Sequence, residues 1–387
     1  MRLKSIFKKN KKEERKRFEP TVDPLVVLLV ISLSLYGTVM VGSAGYPYAH
    51  FRYGDGFFFI KKQLVFLAAG YAIMLIASRI KIDTVKRYTP HAYVLSLLLL
   101  AVTLLIGSVG NGAKRWISIG PITIQPSELA KLTLVLMLAY YFERFEVRAC
   151  MTGSKRESFI FGTMLPLLIA ACPIILVMLQ HHLSCIIILF MIGVVIIFAS
   201  GADARYLYGF GALGVGGIGA LAIFTDYTKD RITVWRNPEA YKLTGGWQTL
   251  QGLMAIGSGG LFGVGLGKSV MKHLYVSEPA NDMIFAILCE ELGFFGALVA
   301  LLLFLSLSTR AFYIGIRSKD TFSRLAAFGI GAKCQIQVLL NVAVVTNSIP
   351  NTGISLPFFS YGGSSLLMLF FEMGILLSLS KRARAIN

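Results

Sequence analysis

Charge is scarce in this sequence. Only 15% of its 387 residues are Asp, Glu, Lys or Arg, against about 25% in an ordinary soluble domain. Cysteine is scarce too: Cys150, Cys172, Cys185, Cys289 and Cys334 stand singly, with no CxxC or Cys/His spacing. That argues against a disulfide framework or a metal site, and the five read as small buried hydrophobes. Alternating strand patterns of about ten residues are missing, which argues against an outer-membrane barrel. No internal repeat is visible, so the inverted-repeat plan of many transporters gains no support. A cleavable leader is not expected either. The apolar block after the basic stretch 1–17 runs from Leu25 to Val41 and beyond, longer than a signal h-region.

What is present is apolar sequence, 55% of the chain, gathered into blocks of about 20 residues, the length that crosses a hydrocarbon core as a helix. Backbone polar groups find no water there, so helices are the expected spanning form. The pattern predicts an all-α integral membrane protein with ten spans at 22–44, 62–80, 91–109, 126–142, 159–179, 183–200, 206–225, 283–308, 324–348 and 361–380. With the N-terminus inside, 25 Lys and Arg fall on inner segments and 11 on outer ones, which orients both termini to the cytoplasm. Residues 1–21 then form a basic cytoplasmic tail, 22–380 the membrane domain and 381–387 a short inner tail. The excess of 38 basic over 20 acidic residues becomes a topology signal and an attraction to anionic lipid heads, with no call for nucleic acid. Trp116, Trp235 and Trp247 all fall outside, where amphipathic rings favour the interface. The large outer loop between spans seven and eight, about 226–282, is rich in Gly and aromatics and is expected to be re-entrant or interfacial structure.

Four segments carry chemistry. The run from Gly257 to Ser269 invites a phosphate-loop reading but fails it: the position five residues before Gly267-Lys268-Ser269 is Phe262, where the motif needs Gly. Close backbone packing explains those glycines better. Gly112-Ala113-Lys114-Arg115-Trp116-Ile117 leads to Gln125-Pro126-Ser127-Glu128 and Lys131. Pro126, Ser127 and Glu128 suit a helix start, with a Glu128–Lys131 pair at i, i+3. Lys114 and Arg115 suit either lipid heads or a phosphorylated substrate. Glu278-Pro279-Ala280-Asn281-Asp282 opens span eight; taken alone, Asn281 or Asp282 reads first as a helix cap. Glu290 and Glu291 lie inside the same span, where charge is costly and functional by default. Eight residues put Glu290 about 12 Å deeper than Asp282 and near enough in angle to share one polar cavity, whereas Glu291 points away toward a neighbouring span. The stretch from Asn351 to Ser365 is expected to be a partly unwound turn, structural or substrate-lining. His181 and His182 are adjacent, a poor arrangement for one metal on a regular helix.

Taken in order, these segments, with Ile284-Phe285-Ala286, Glu290-Glu291-Leu292-Gly293 and Leu356-Pro357-Phe358-Phe359-Ser360-Tyr361-Gly362-Gly363, resemble the SEDS family of FtsW, RodA and SpoVE. The resemblance runs from Asp23 to about Lys381, and Lys272, Tyr275 and Glu278-Pro279 lean toward FtsW or SpoVE. It implies a ten-span peptidoglycan glycosyltransferase that polymerises lipid II outside the cytoplasmic membrane, in cell division or a related wall-building process. A cognate class B penicillin-binding protein would be its partner. The family's essential aspartate falls on Asp282. The chain departs from the pattern at Gln180-His181-His182-Leu183-Ser184, where His182 replaces a usual acid, and at Val276-Ser277-Glu278.

The implied reaction needs a base for the acceptor sugar's hydroxyl and cations for the undecaprenyl pyrophosphate that leaves. Asp282 is the expected base. Lys114, Arg115, Arg231 and Lys272 are the candidate cations, with Glu278 beside them and Gln125, Ser127, Glu128, Lys131 and Glu290 as candidate cavity lining. A divalent cation, Mg or Mn, is compatible with the pyrophosphate, but no ligand cluster fixes a protein site for it. The competing readings are a lipid II flippase and a non-catalytic scaffold for a wall synthase.

Overall fold

The computed structural model describes residues 22–110, 113–119, 122–146, 148, 154–203, 205–206, 208–209, 211–212, 214, 216–217 and 226–384. The chain is a bundle of long helices. In order they are α1 (Pro24–Tyr53), α2 (Phe58–Ala77), α3 (Ile82–Ile106), α4 (Pro126–Glu146), α5 (Lys155–Leu179) and α6 (Leu183–Ala199). After them come α7 (Asp226–Arg236), α8 (Gly246–Gly259), α9 (Ile284–Arg317), α10 (Thr321–Val345) and α11 (Gly363–Arg384). Among the described residues, seven helices are long and apolar enough to cross a membrane: α1, α2, α3, α5, α9, α10 and α11. The expected fourth and sixth spans are α4, which carries Glu128, Lys131, Glu143 and Arg144, and the shorter α6. Most of the expected seventh span, 206–225, lies outside the described residues.

Helix ends follow local chemistry more than hydropathy. Asp23 caps α1 by accepting from the Leu25 and Val26 amides, with Pro24 at the first helical position, where its missing N–H costs nothing. The same carboxylate pairs with Arg310 at 2.7 Å, and the Asp23 amide donates to Ser380, so α1, α9 and α11 are joined at one end. α1 runs to Tyr53, well past the expected boundary at 44, and stops where Gly54 turns left-handed.

Three features of the fold matter for the site. Between α3 and α4 the chain forms a small antiparallel sheet, β1 (Ser108–Gly110), β2 (Ala113–Ile119) and β3 (Ile122–Ile124). Residues 226–282, the large loop expected to hold re-entrant or interfacial structure, contain α7, a 3-10 turn (Pro238–Tyr241) and α8. α9 is broken at Gly293, whose φ of 65° and ψ of −165° interrupt the helix. A side chain there would meet the Gly263 amide at 2.3 Å, so only glycine admits this approach.

Candidate active site

Asp282 lies two residues before α9 begins, in a turn pinned on three sides. The Ala280 carbonyl accepts from the Tyr361 amide at 2.8 Å, and the Asn281 carbonyl accepts from Ser360 Oγ at 2.7 Å. The Asp282 carbonyl accepts from Asn341 Nδ2 at 2.9 Å, and the same amide group reaches the Ile354 carbonyl at 2.6 Å. The backbone of Asp282 is thus held by α10 and by the segment leading into α11.

The helix-cap reading of Asp282 fails. The N-cap of α9 is Met283, and no side-chain cap bond is made. The Oδ1 atom of Asp282 is enclosed without a hydrogen-bond partner, and Oδ2 faces Gly353. Burial, and then the negative charge of Glu278, push the Asp282 carboxyl up to about 7. The Asp282 backbone, the Gln248 side chain and the charge of Arg231 oppose that rise. A carboxylate at this value can take a proton near neutral pH.

Arg231, on α7, donates to the Asn351 carbonyl, which seats it on the loop that also carries Gly353. Glu278 is exposed, holds a left-handed φ of 53°, and accepts from Asn281 Nδ2 at 2.5 Å. Asp282, Glu278 and Arg231 therefore form one electrostatic group.

A second group lies around the start of α4. Glu128 and Lys131 form the expected ion pair at 2.8 Å, both buried, and Lys131 also reaches Gln337 on α10 at 3.3 Å. Lys333 pairs with Glu372 on α11 at 2.6 Å. A cavity of about 20 Å³, room for one water, lies among Glu128, Lys333, Gln337 and Ser355. Ser127 is buried with its hydroxyl unpartnered, and Gln125 accepts the Glu128 amide through its carbonyl. Arg115, on β2, donates to the His181 carbonyl at 2.8 Å. Lys114 lies on the same strand opposite Val109, with its side chain outside the described residues, as is Gly112. His182 is buried with Nδ1 unpartnered. Burial first, then the cations Arg115 and Lys131, lower its pKa to about 3. The imidazole is neutral at ordinary pH and cannot supply the negative charge of an acid at this place.

Two candidates are held by partners inside the protein. Lys272 is buried against Glu291 at 2.7 Å, with further bonds to Ser43 and the Gly267 carbonyl, so its charge is committed inside the protein. Glu290 is buried within α9. It accepts from Ser269 Oγ and from the Val270 and Met271 amides, because the glycine run folds back over it. Sequence reasoning missed Asn341, although an Asn within a span is itself a signal. It also missed Gln248 and Ser43, for which the sequence offers no local cue. Among the described residues, no group of three or more His, Cys, Asp or Glu side chains could hold a metal ion.

Residues 23–385 match the family model of FtsW, RodA and SpoVE, described as cell cycle protein. Stage V sporulation protein E of Bacillus subtilis (strain 168) is 37% identical over 364 residues, covering 94% of this chain and 98% of that protein. The probable peptidoglycan glycosyltransferase FtsW of Geobacter sp. (strain M18) is 34% identical over 364 residues, covering 94% and 97%. In three dimensions the fold is similar to a chain of a peptidoglycan synthase complex, with a TM-score of 0.78 and 26% identity over 94% of this chain and 98% of that one. It is also similar to the rod shape determining protein RodA of Thermus thermophilus, with a TM-score of 0.68 and 28% identity over 93% and 97%.

Proposed function

This chain belongs to the FtsW, RodA and SpoVE family of cell cycle proteins, and we propose that it is a multi-pass peptidoglycan glycosyltransferase with Asp282 as its general base. The observation that carries the base assignment is an enclosed, unpartnered Oδ1 on a carboxylate raised to about 7. A base needs both a free acceptor atom and a proton affinity matched to the working pH.

In this reading lipid II and the growing undecaprenyl-linked strand meet at the outer face of the cytoplasmic membrane. Asp282 takes the proton from the acceptor sugar's hydroxyl as the oxygen attacks the anomeric carbon. The C–O bond to the pyrophosphate breaks, and the bonding electrons leave with it. Arg231 and the strand-borne Lys114 and Arg115 are the cations we assign to that developing charge. We assign any divalent cation to the pyrophosphate oxygens, since Mg²⁺ is commonly held largely by substrate phosphates. Both termini face the cytoplasm, and a class B penicillin-binding protein is the partner that would cross-link the product. The charges inside the helices favour this reading over a flippase. Lys131–Glu128 and Lys333–Glu372 are closed pairs beside a one-water cavity, an arrangement suited to holding helices together.

Incubating the purified chain with labelled lipid II, alone and with a candidate class B partner, tests the proposal. Glycan ladders are the expected product. Transbilayer movement of lipid II with no polymer under either condition would overturn it.

A further inference from the structure

The break at Gly293 separates residues 284–292 from the rest of α9. Asp282 therefore sits two residues ahead of a nine-residue half-helix whose register the long span below does not dictate. Its outer end is tethered through the turn at 280–282, and its inner end is fixed by a buried lock. Glu291 accepts from Lys272 Nζ and from Ser43 Oγ, each at 2.7 Å, and from the Ser269 amide at 3.4 Å. Lys272 Nζ also donates to Ser43 at 3.1 Å and to the Gly267 carbonyl at 2.7 Å. Glu290 receives the Ser269 hydroxyl and the amides of Val270 and Met271. The backbone closes the same joint: the amides of Val264 and Gly265 donate to the carbonyls of Glu290 and Glu291, each at 2.9 Å.

Resting on the catalytic reading of Asp282, we propose that Lys272, Glu290 and Glu291 are positioning residues that set where the half-helix presents Asp282. Glu290, Glu291 and Lys272 are 1%, 0% and 4% exposed, so residues 267–272 cannot leave the half-helix without stranding a buried charge. A well-packed apolar pair would serve stability as well; a charged pair with this many directional bonds also selects one register. Ser43 carries the lock to α1. The lever is long: eight residues of helix are about 12 Å, so a tilt of about 5° at the lock moves the carboxylate by about 1 Å. A misplacement of that size can cost about 10²-fold in rate.

The test is the double variant K272M/E291Q, which removes both charges together and keeps an acceptor for Ser43 and the Ser269 amide. It should fold and melt near the wild-type temperature, while kcat for glycan synthesis falls about 10–100-fold and KM changes less than about threefold. The acid limb of its pH profile should move to lower pH. A loosened turn admits water to Asp282, weakening the burial that raises it, while Glu278, Arg231 and Gln248 remain its neighbours. Amide exchange over residues 280–288 should rise, a readout independent of activity. Unchanged exchange in the folded double variant overturns the lock. So do unchanged kcat and pH profile in a wild-type background that polymerises. A wild-type chain that makes no glycan, with exchange still raised in the variant, counts against the glycosyltransferase reading and leaves the lock supported. If K272M/E291Q does not fold, Ser43→Ala decides. It strands no charge, and it should raise the same exchange and lower kcat with KM held; a wild-type result in both would overturn the proposal.

Discussion

Gly353 stands directly against Asp282. A Cβ added to Gly353 would lie 3.4 Å from Asp282 Oδ2, and the glycine holds a φ of +66°. The loop beside the carboxylate is therefore built without a side chain, leaving its neighbourhood to the turn on one side and to the Arg231-bound Asn351 on the other.

The pH dependence of catalysis should follow the Asp282 carboxyl. A base works only when ionised, so kcat/KM should fall about tenfold per unit as pH drops below the carboxyl's value, which burial and Glu278 raise to about 7. Glu278→Gln removes a neighbouring negative charge. That lowers the proton affinity of Asp282 and should move the acid limb to lower pH. An acid limb that stays in place would separate the two carboxyls.

Asn341 is buried and bonds both the Asp282 and Ile354 carbonyls. Asn341→Leu removes both bonds and leaves two carbonyls unpaired, with a cost of about 1–3 kcal/mol for each such group. Glycan synthesis should fall at least tenfold, with a lower melting temperature in detergent. Wild-type rates would show that the backbone of Asp282 does not need this tether.

His182 should give the fold an acid sensitivity. Its pKa is lowered by burial and by Arg115 and Lys131 to about 3, whereas an unfolded imidazole protonates near about 6.5. Between those values the unfolded chain binds more protons, so stability falls as pH drops below about 6.5. His182→Gln should flatten that part of the melting-temperature profile. A profile that keeps its full slope in the variant would assign the sensitivity to other groups.

Much of the fold was legible because a membrane is a strict solvent. Stretches such as 24–53 and 284–317 leave a backbone no choice but helix. The Glu128–Lys131 pair was legible because i, i+3 spacing is local. The sheet at 108–124 was not, since strands of three to seven residues are too short to show a period. The place of Glu290 and Lys272 was not legible either. Their partners arrive only when residues 263–272 fold back onto the Gly293 break, and nothing within a few residues of either signals that closure. Helical geometry sent Glu291 to a neighbouring span, and it does bond Ser43 on α1, but Lys272 was invisible as its ion partner. The cap reading of Asp282 failed for a related reason: α9 starts at Ile284, because the turn before it is held from α10 and from the segment leading into α11.

The Lys and Arg asymmetry is our ground for proposing that both termini face inward. A single cysteine at exposed Gly245, in a cysteine-free background, should react with an impermeant thiol reagent added outside cells. Cysteines at exposed Ser154 and Lys319 should not. The reverse pattern would put Asp282 on the wrong side for polymerisation.

Asp282→Asn tests the central claim most directly. Asparagine keeps the shape and the backbone bonds to Asn341, and no helix cap is at stake, since α9 takes none from Asp282. It cannot accept the proton. The purified variant should insert, melt like the wild type and bind lipid II, yet polymerise it about 10²–10⁴-fold more slowly. Long glycan chains made by a folded Asp282→Asn protein at near wild-type rate would contradict the account.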